Sequence, residues 1–272
     1  MTVEKVKMAV ITTENTNQLA YCHVPKVASS SWMLTFAEMN DLDKNLTETL
    51  HKKLALHGML MTNFSITIQN AKELEDINRS KLYKFVFIRH PFERLVSAFH
   101  DKFEHTKQAE MMVPFLKHEI VKYMFKRLKK EKSPKTSKLP FDIDISFENF
   151  INYVLEEATY NTISEQSKHW WPYSDLCKMC QINYDFIGNL ESLDDDVTCM
   201  LKNFKNYTAL HKMQDRAKEK INGGGKHTKA MTMEYFSKLS KESILKLYGF
   251  YKHDFKLGNY EFPQAYIEKG VS

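Results

Sequence analysis

The sequence predicts an α/β domain of three layers, with helices on both faces of a central, mostly parallel β-sheet. Two segments carry that expectation. Residues 18–39 and residues 82–99 each read as a buried strand, a tight loop and the start of an amphipathic helix. Length supplies the third observation, since 272 residues suffice for one domain with a sizeable core. Twelve per cent aromatic residues, with 8 glycines and 7 prolines, fit a compact fold without a repeat or an inter-domain linker. The expected organisation is an N-terminal extension over 1–17, a domain over 18–262 and a tail over 263–272.

The first strand covers Gln18 to Val24, where Ala20, Tyr21 and Val24 favour burial. Pro25 stops it. Ser29, Ser30 and Ser31 form an N-cap cluster, and Trp32, Met33, Phe36, Ala37 and Met39 then recur at helical spacing. Free N–H groups and the positive end of the helix dipole would face the loop, which favours a bound phosphate or sulfate. Lys26 adds a full charge and the serine hydroxyls add donors. The loop contains no glycine, so it is not the G-x-x-x-x-G-K-[ST] nucleotide loop. An ordinary capped helix would carry much of the same signature.

The second strand covers Leu82 to Ile88, apolar and β-branched, with Arg89 at its C-terminal end. Pro91 suits the first turn of a helix, and Phe92, Leu95, Val96 and Phe99 give the apolar stripe. An arginine fork at Arg89 and a hydroxyl at Ser97 suit an isolated phosphate monoester. The plain alternative makes Arg89 and Arg94 surface partners of Glu93 and Asp101. Ligands of open α/β sheets bind beyond the carboxyl ends of strands, which favours the functional reading. Two anion cradles on one domain point to a ligand with two separate phosphate-like ends.

Elsewhere the signals are broader. Lys117 to Lys138 carries nine Lys or Arg against Glu119 and Glu131. It reads as a helix through Lys130 and a loop to Pro140, either a solvated face or a track for an anionic glycan. The net charge of +5 fits anionic ligands, and no nucleic-acid motif accompanies it. Cys177 and Cys180 form a lone C-x-x-C, too few ligands for a closed zinc site. They read as a disulfide or as a reduced pair, with Cys22 in the core. Asn45, Asn63, Asn78 and Asn206 head glycosylation sequons. Met1 to Asn17 has no apolar run of signal-peptide or anchor length. Tyr184 to Gly188 is strand-like. Asn222 to Lys229 is a glycine-rich basic loop, or a loose turn, before a helix near Met233.

Four segments together resemble the PAPS-dependent sulfotransferases (PAPS is 3′-phosphoadenosine 5′-phosphosulfate), and in particular the Golgi carbohydrate enzymes that act on chondroitin, dermatan and HNK-1 glycans. Pro25-Lys26-Val27-Ala28-Ser29-Ser30-Ser31-Trp32 resembles the family's 5′-phosphosulfate loop, and Arg89-His90-Pro91-Phe92-Glu93-Arg94-Leu95-Val96-Ser97 its 3′-phosphate motif. His169-Trp170-Trp171-Pro172 through Cys177 and Cys180 to Glu191 is the third match, and Leu247 through Phe255 the fourth. His90 stands where the family usually has Asp. Serines and Ala28 stand where it often has Gly, Cys or Thr.

The resemblance implies a P-loop-like sulfotransferase fold and PAPS as co-substrate, without a metal. Lys26 would meet the bridging oxygen. The N–H groups of Val27, Ala28, Ser29, Ser30 and Ser31 would hold the 5′-phosphate, and Arg89 and Ser97 the 3′-phosphate. Lys226 and Lys229, on the late loop, would approach the same group. A base must take the acceptor's proton. His57 ranks first, His51 second and His169 third, and Glu38 lies on the helix after the first loop. The implied acceptor is an anionic glycan or proteoglycan, with no nucleic acid. The implied location is the Golgi lumen or membrane, so the chain reads as an anchor-less fragment or isoform, or as a soluble member. An ATP-dependent phosphoryl transferase is the first rival, opposed by the missing Walker A loop and magnesium-binding Asp. A non-catalytic binding relative is the second, opposed by the retention of Lys26, Arg89 and Ser97.

Overall fold

The computed structural model describes residues 6–12, 18–39, 42–43, 45, 47, 59, 61–62, 64–104, 120, 145–161, 166–202 and 229–271. Its strands are β1 (Val6–Thr12), β2 (Gln18–Cys22), β3 (Ser65–Ile68), β4 (Tyr83–Ile88) and β5 (Phe186–Asn189). In chain order the helices are α1 (Ser29–Met39), α2 (Ala71–Arg79), α3 (Pro91–Phe103), α4 (Phe147–Tyr160), α5 (Tyr173–Leu176), α6 (Leu193–Leu201), α7 (Lys229–Phe236), α8 (Lys241–Phe250), α9 (Lys252–Leu257) and α10 (Gln264–Lys269). They fall into two compact units, one of Met1–Arg89 with Tyr173–Lys226, the other of His90–Pro172 with His227–Ser272.

The first unit holds the sheet, in the order β3-β1-β2-β4-β5. Strand β2 runs parallel to β4, and β4 parallel to β5. Strand β1 pairs antiparallel with both β2 and β3. The sheet is therefore mixed, with β1 running against the four other described strands. Its antiparallel half comes from β1, within the segment expected as an extension, where Val6 and Met8 are buried and Lys7 is exposed. In β4 every residue from Lys84 to Ile88 is buried, as for a strand covered on both faces. Lys84 is accommodated because Nζ donates to the Leu82 carbonyl (2.9 Å) and pairs with Asp185 (3.5 Å), whose Oδ2 also accepts from the Lys84 N–H (2.7 Å). Gly188 is required where β5 meets β4, because a β-carbon there would collide with the Phe87 ring.

The second unit is helical in its described residues. Phe92 of α3 stacks on Phe236 of α7 with ring centroids 4.3 Å apart, and Phe99 packs on Phe150 of α4 at 5.6 Å. Tyr266 of α10 sits 5.4 Å from Phe92, so the expected C-terminal tail contributes to the core. The basic segment Lys117 to Lys138 lies outside the described residues except for Ile120.

Candidate active site

The first unit builds its loop on a rigid base. Tyr21 of β2 packs against Trp32 (5.5 Å) and Phe36 (5.2 Å) of α1, and Trp32 against Phe87 of β4 (4.9 Å). These rings are fully buried or nearly so and fix the start of α1 against the ends of two strands. Between them, Val24 and Val27 point inward at 0 % exposure, while Lys26, Ala28, Ser29 and Ser30 stay partly accessible.

The loop backbone is unusual. Lys26 and Ala28 have φ of 71° and 49°, the left-handed region that residues with a β-carbon rarely adopt. Each such residue costs about 1–3 kcal/mol and persists where its surroundings over-determine it. Left-handed and right-handed residues in succession turn their N–H groups toward one concavity, a nest suited to an anion. The Ala28 carbonyl accepts from the N–H groups of Ser31 (2.9 Å) and Trp32 (3.2 Å), so the helix is initiated there. Ahead of these two, the N–H groups of Ser29 and Ser30 have no carbonyl within the helix to donate to, the arrangement that suits an anion at a helix start. The Ser31 hydroxyl is fully buried at the head of α1 and has no hydrogen-bond partner among the described residues. A buried hydroxyl left so is a fit for an oxyanion set into the loop.

Arg89 follows β4 directly. Because β2 and β4 are parallel neighbours, with Tyr21 opposite Phe85, the loop carrying Lys26 and the residue Arg89 leave the same edge of the sheet. Adjacent strands are about 4.8 Å apart. The structure thus places Lys26 and Arg89 each beyond the carboxyl end of one of two adjacent parallel strands. Ser97 belongs to the second unit, on α3, where it is 8 % exposed. His51, His57 and Lys226 lie outside the described residues.

Sequence reasoning missed several features. His90 is the N-cap of α3, its Nδ1 accepting from the Phe92 N–H (3.3 Å). An Asp would cap the same helix, so the departure keeps the local function. The ring packs on Phe255 (5.2 Å) and Tyr260 (4.9 Å). Arg94 is not at the surface, where the plain alternative had it. It is 1 % exposed, and its guanidinium donates to the carbonyls of Trp171 (2.6 Å) and Lys168 (2.9 Å). Tyr251 donates to the Trp170 carbonyl. Glu157 accepts from the Ser167 hydroxyl (2.6 Å) and from Trp170 Nε1 (2.7 Å). Side chains from α3, α4 and the α8–α9 junction thereby clamp residues 167–171, the turn that carries His169.

Burial pushes the Glu157 carboxyl above its ordinary 4.5, against the pull of hydrogen bonds from Ser167, Trp170 and Tyr153. The folded state then keeps a proton that the unfolded chain releases. Stability from this group is full below the unfolded value and is lost as pH rises through the folded one. Glu157→Gln is expected to remove that fall, read as the difference in Tm between variant and wild type from about pH 4 to about pH 7. A difference that stays constant across this window would assign the linkage elsewhere.

The cysteines also differ from expectation. Cys22 pairs with Cys177, with α-carbons 5.9 Å apart across a sequence separation of 155, and Cys180 and Cys199 are free and exposed. Cys22 is in the core as expected, 2 % exposed, and the partner of Cys177 is Cys22 rather than Cys180. The bond ties the end of β2, immediately before the loop, to the turn after α5.

A mixed α/β sheet with two left-handed loop residues after one strand and an arginine after its parallel neighbour defines an α/β protein of the class whose ligands lie beyond the carboxyl ends of the strands. The sequence pattern described as "Sulfotransferase family" matches residues 10–261, and the chain belongs to that family. Carbohydrate sulfotransferase 11 of Rattus norvegicus is 30 % identical over 250 residues, covering 91 % of this chain and 66 % of that protein. Carbohydrate sulfotransferase 10 of Xenopus laevis is 28 % identical over 263 residues, with 91 % and 66 % covered. Carbohydrate sulfotransferase 8 of Mus musculus is 28 % identical over 253 residues, with 92 % and 56 % covered. The chain thus spans less than two thirds of the length of these curated relatives. No solved structure matches it.

Proposed function

We propose that the chain is a carbohydrate O-sulfotransferase that takes its sulfuryl group from PAPS, on a P-loop-like sulfotransferase core. The observation that carries this reading is the pairing of Lys26, on a loop with two left-handed residues, with Arg89 at the end of the next parallel strand. PAPS, when bound, supplies an activated sulfuryl group on a phosphate leaving group. The N–H groups of Val27, Ala28, Ser29 and Ser30, with the hydroxyl of Ser31, whose own N–H donates to the Ala28 carbonyl, hold the 5′-phosphate and meet charge as it develops. Lys26 neutralises the bridging oxygen. Arg89, with Ser97 and Lys226, holds the 3′-phosphate and so discriminates against nucleotides that lack it.

The acceptor is a glycan or proteoglycan, with anionic chains of the chondroitin class favoured by the net charge of +5. A Golgi lumenal site is supported by the disulfide, which forms in oxidising compartments, and by the exposed Asn45 in its sequon. Among the described residues no helix is long and apolar enough to cross a membrane.

Calorimetric titration with PAP, the desulfated nucleotide, tests the site. PAP is expected to bind at least about tenfold more tightly than AMP, a difference of about 1.4 kcal/mol, and Arg89→Ala to erase most of that preference. Equal binding of PAP and AMP, or a preference for ATP with magnesium, would discard the reading. His57 is assigned as the base, ahead of His51. His57→Ala should lower kcat by about 10²–10⁴-fold with PAP affinity retained. Full turnover in that variant transfers the role to His51, tested the same way.

A further inference from the structure

The end of β2 is held by a buried bond with an exposed thiol three residues from one of its sulfurs. Cys177 and Cys22 are 0 % and 2 % exposed, so bulky external thiols cannot approach them readily. Cys180 is free and accessible. It completes a C-x-x-C with Cys177 inside one tight turn, where Lys178 donates to the Asp175 carbonyl (3.2 Å) and Met179 to that of Ser174 (2.9 Å). This double bond pattern normally takes glycine at the left-handed position, which here is Lys178 at φ 45°. The turn is pinned independently of the disulfide. Tyr184 donates to the Cys177 carbonyl (2.7 Å), and Asn78 both donates to the Gln181 carbonyl (2.8 Å) and accepts from the Asn183 N–H (2.8 Å).

We propose that Cys180 is a resolving thiol that exchanges with the Cys22–Cys177 bond and so releases the strand end that carries the anion loop. The Cys180 sulfur, as thiolate, attacks Sγ of Cys177. The Cys177–Cys180 bond forms as the Cys22–Cys177 bond breaks, and Cys22 leaves as a thiolate that takes up the proton given up by Cys180. One disulfide and one thiol stand on each side, so no oxidant or reductant is consumed. Because the turn is held by Asn78 and Tyr184 and β2 by its pairing with β1 and β4, the exchange frees the Cys22 side chain at the strand end, immediately before the loop. The strain at Lys26 and Ala28 is sustained only while its surroundings fix it. Untying Cys22 lets the loop relax and its anion affinity fall. That consequence rests on the nucleotide-binding reading above; the exchange itself does not.

The test uses the intact oxidised chain, incubated without external thiol at mildly alkaline pH, then alkylated with iodoacetamide and mapped by mass spectrometry. Cys199, exposed in both proteins, is the internal standard. Wild type is expected to label at Cys22 at least about tenfold faster than Cys180→Ser, and to yield a peptide closed between Cys177 and Cys180. Equal Cys22 labelling in the two proteins, or the absence of that closed peptide, overturns the proposal. PAP titration of both forms is the second readout. At least about tenfold weaker PAP binding by the exchanged form supports the loop consequence, and equal binding by the two forms overturns it. Failure of PAP to bind either form sinks the nucleotide reading, while the labelling result decides the exchange on its own.

Discussion

Lys26→Ala is expected to lower kcat for sulfuryl transfer by about 10²–10³-fold, the usual loss when one preorganised group facing developing charge is removed. PAP affinity should fall less, because the backbone N–H groups and Arg89 still hold the two phosphates. Stability should be nearly unchanged. At φ 71° alanine is as strained as lysine, so the substitution removes the ammonium and leaves the backbone as it was. Lys26→Gly is the matching control. It removes the same charge and also relieves the left-handed strain, so it should melt higher than Lys26→Ala by about 1 kcal/mol. If both variants lose turnover alike while their Tm values separate, the charge is what the reaction needs. Normal turnover in Lys26→Ala would end the proposed mechanism, whatever PAP binding showed.

What could be read from the sequence follows from how local each signal is. The two strand–loop–helix corners were legible because their punctuation is local, with Pro25 and three serines in one and Pro91 in the other, and the structure has β2 to α1 and β4 to α3 there. Strand β1 was not, since its place depends on pairings as distant as Val6 with Ile68. The disulfide was hidden for the same reason. Four cysteines allow three full pairings, local spacing favours Cys177 with Cys180, and only the fold brings Cys22 to Cys177. The backbone of the loop carried no mark, because left-handed residues are normally announced by glycine and here are Lys26 and Ala28. His90 departs from its family's residue yet keeps the cap, a chemical equivalence that a residue-by-residue match does not display.

Arg94 is the largest structural effect that the sequence concealed. Its position beside Glu93 suggests a surface pair, whereas its buried guanidinium donates to two carbonyls inside the second unit. Those carbonyls belong to a turn that cannot satisfy them itself, so the arginine substitutes for the ladder that a helix or strand would supply. Arg94→Ala is expected to cost about 3–5 kcal/mol, because it leaves buried acceptors unpaired and opens a cavity beside Tyr251 and Trp170. Tm should fall by about 10 °C. Arg94→Lys should recover little, since an ammonium cannot fork to both carbonyls. The loss should reach function through Trp170, Trp171 and His169, whose turn the guanidinium holds, so activity of Arg94→Ala should decline well below its melting range. A Tm within about 2 °C of wild type would mean that Tyr251 and Glu157 alone hold the turn.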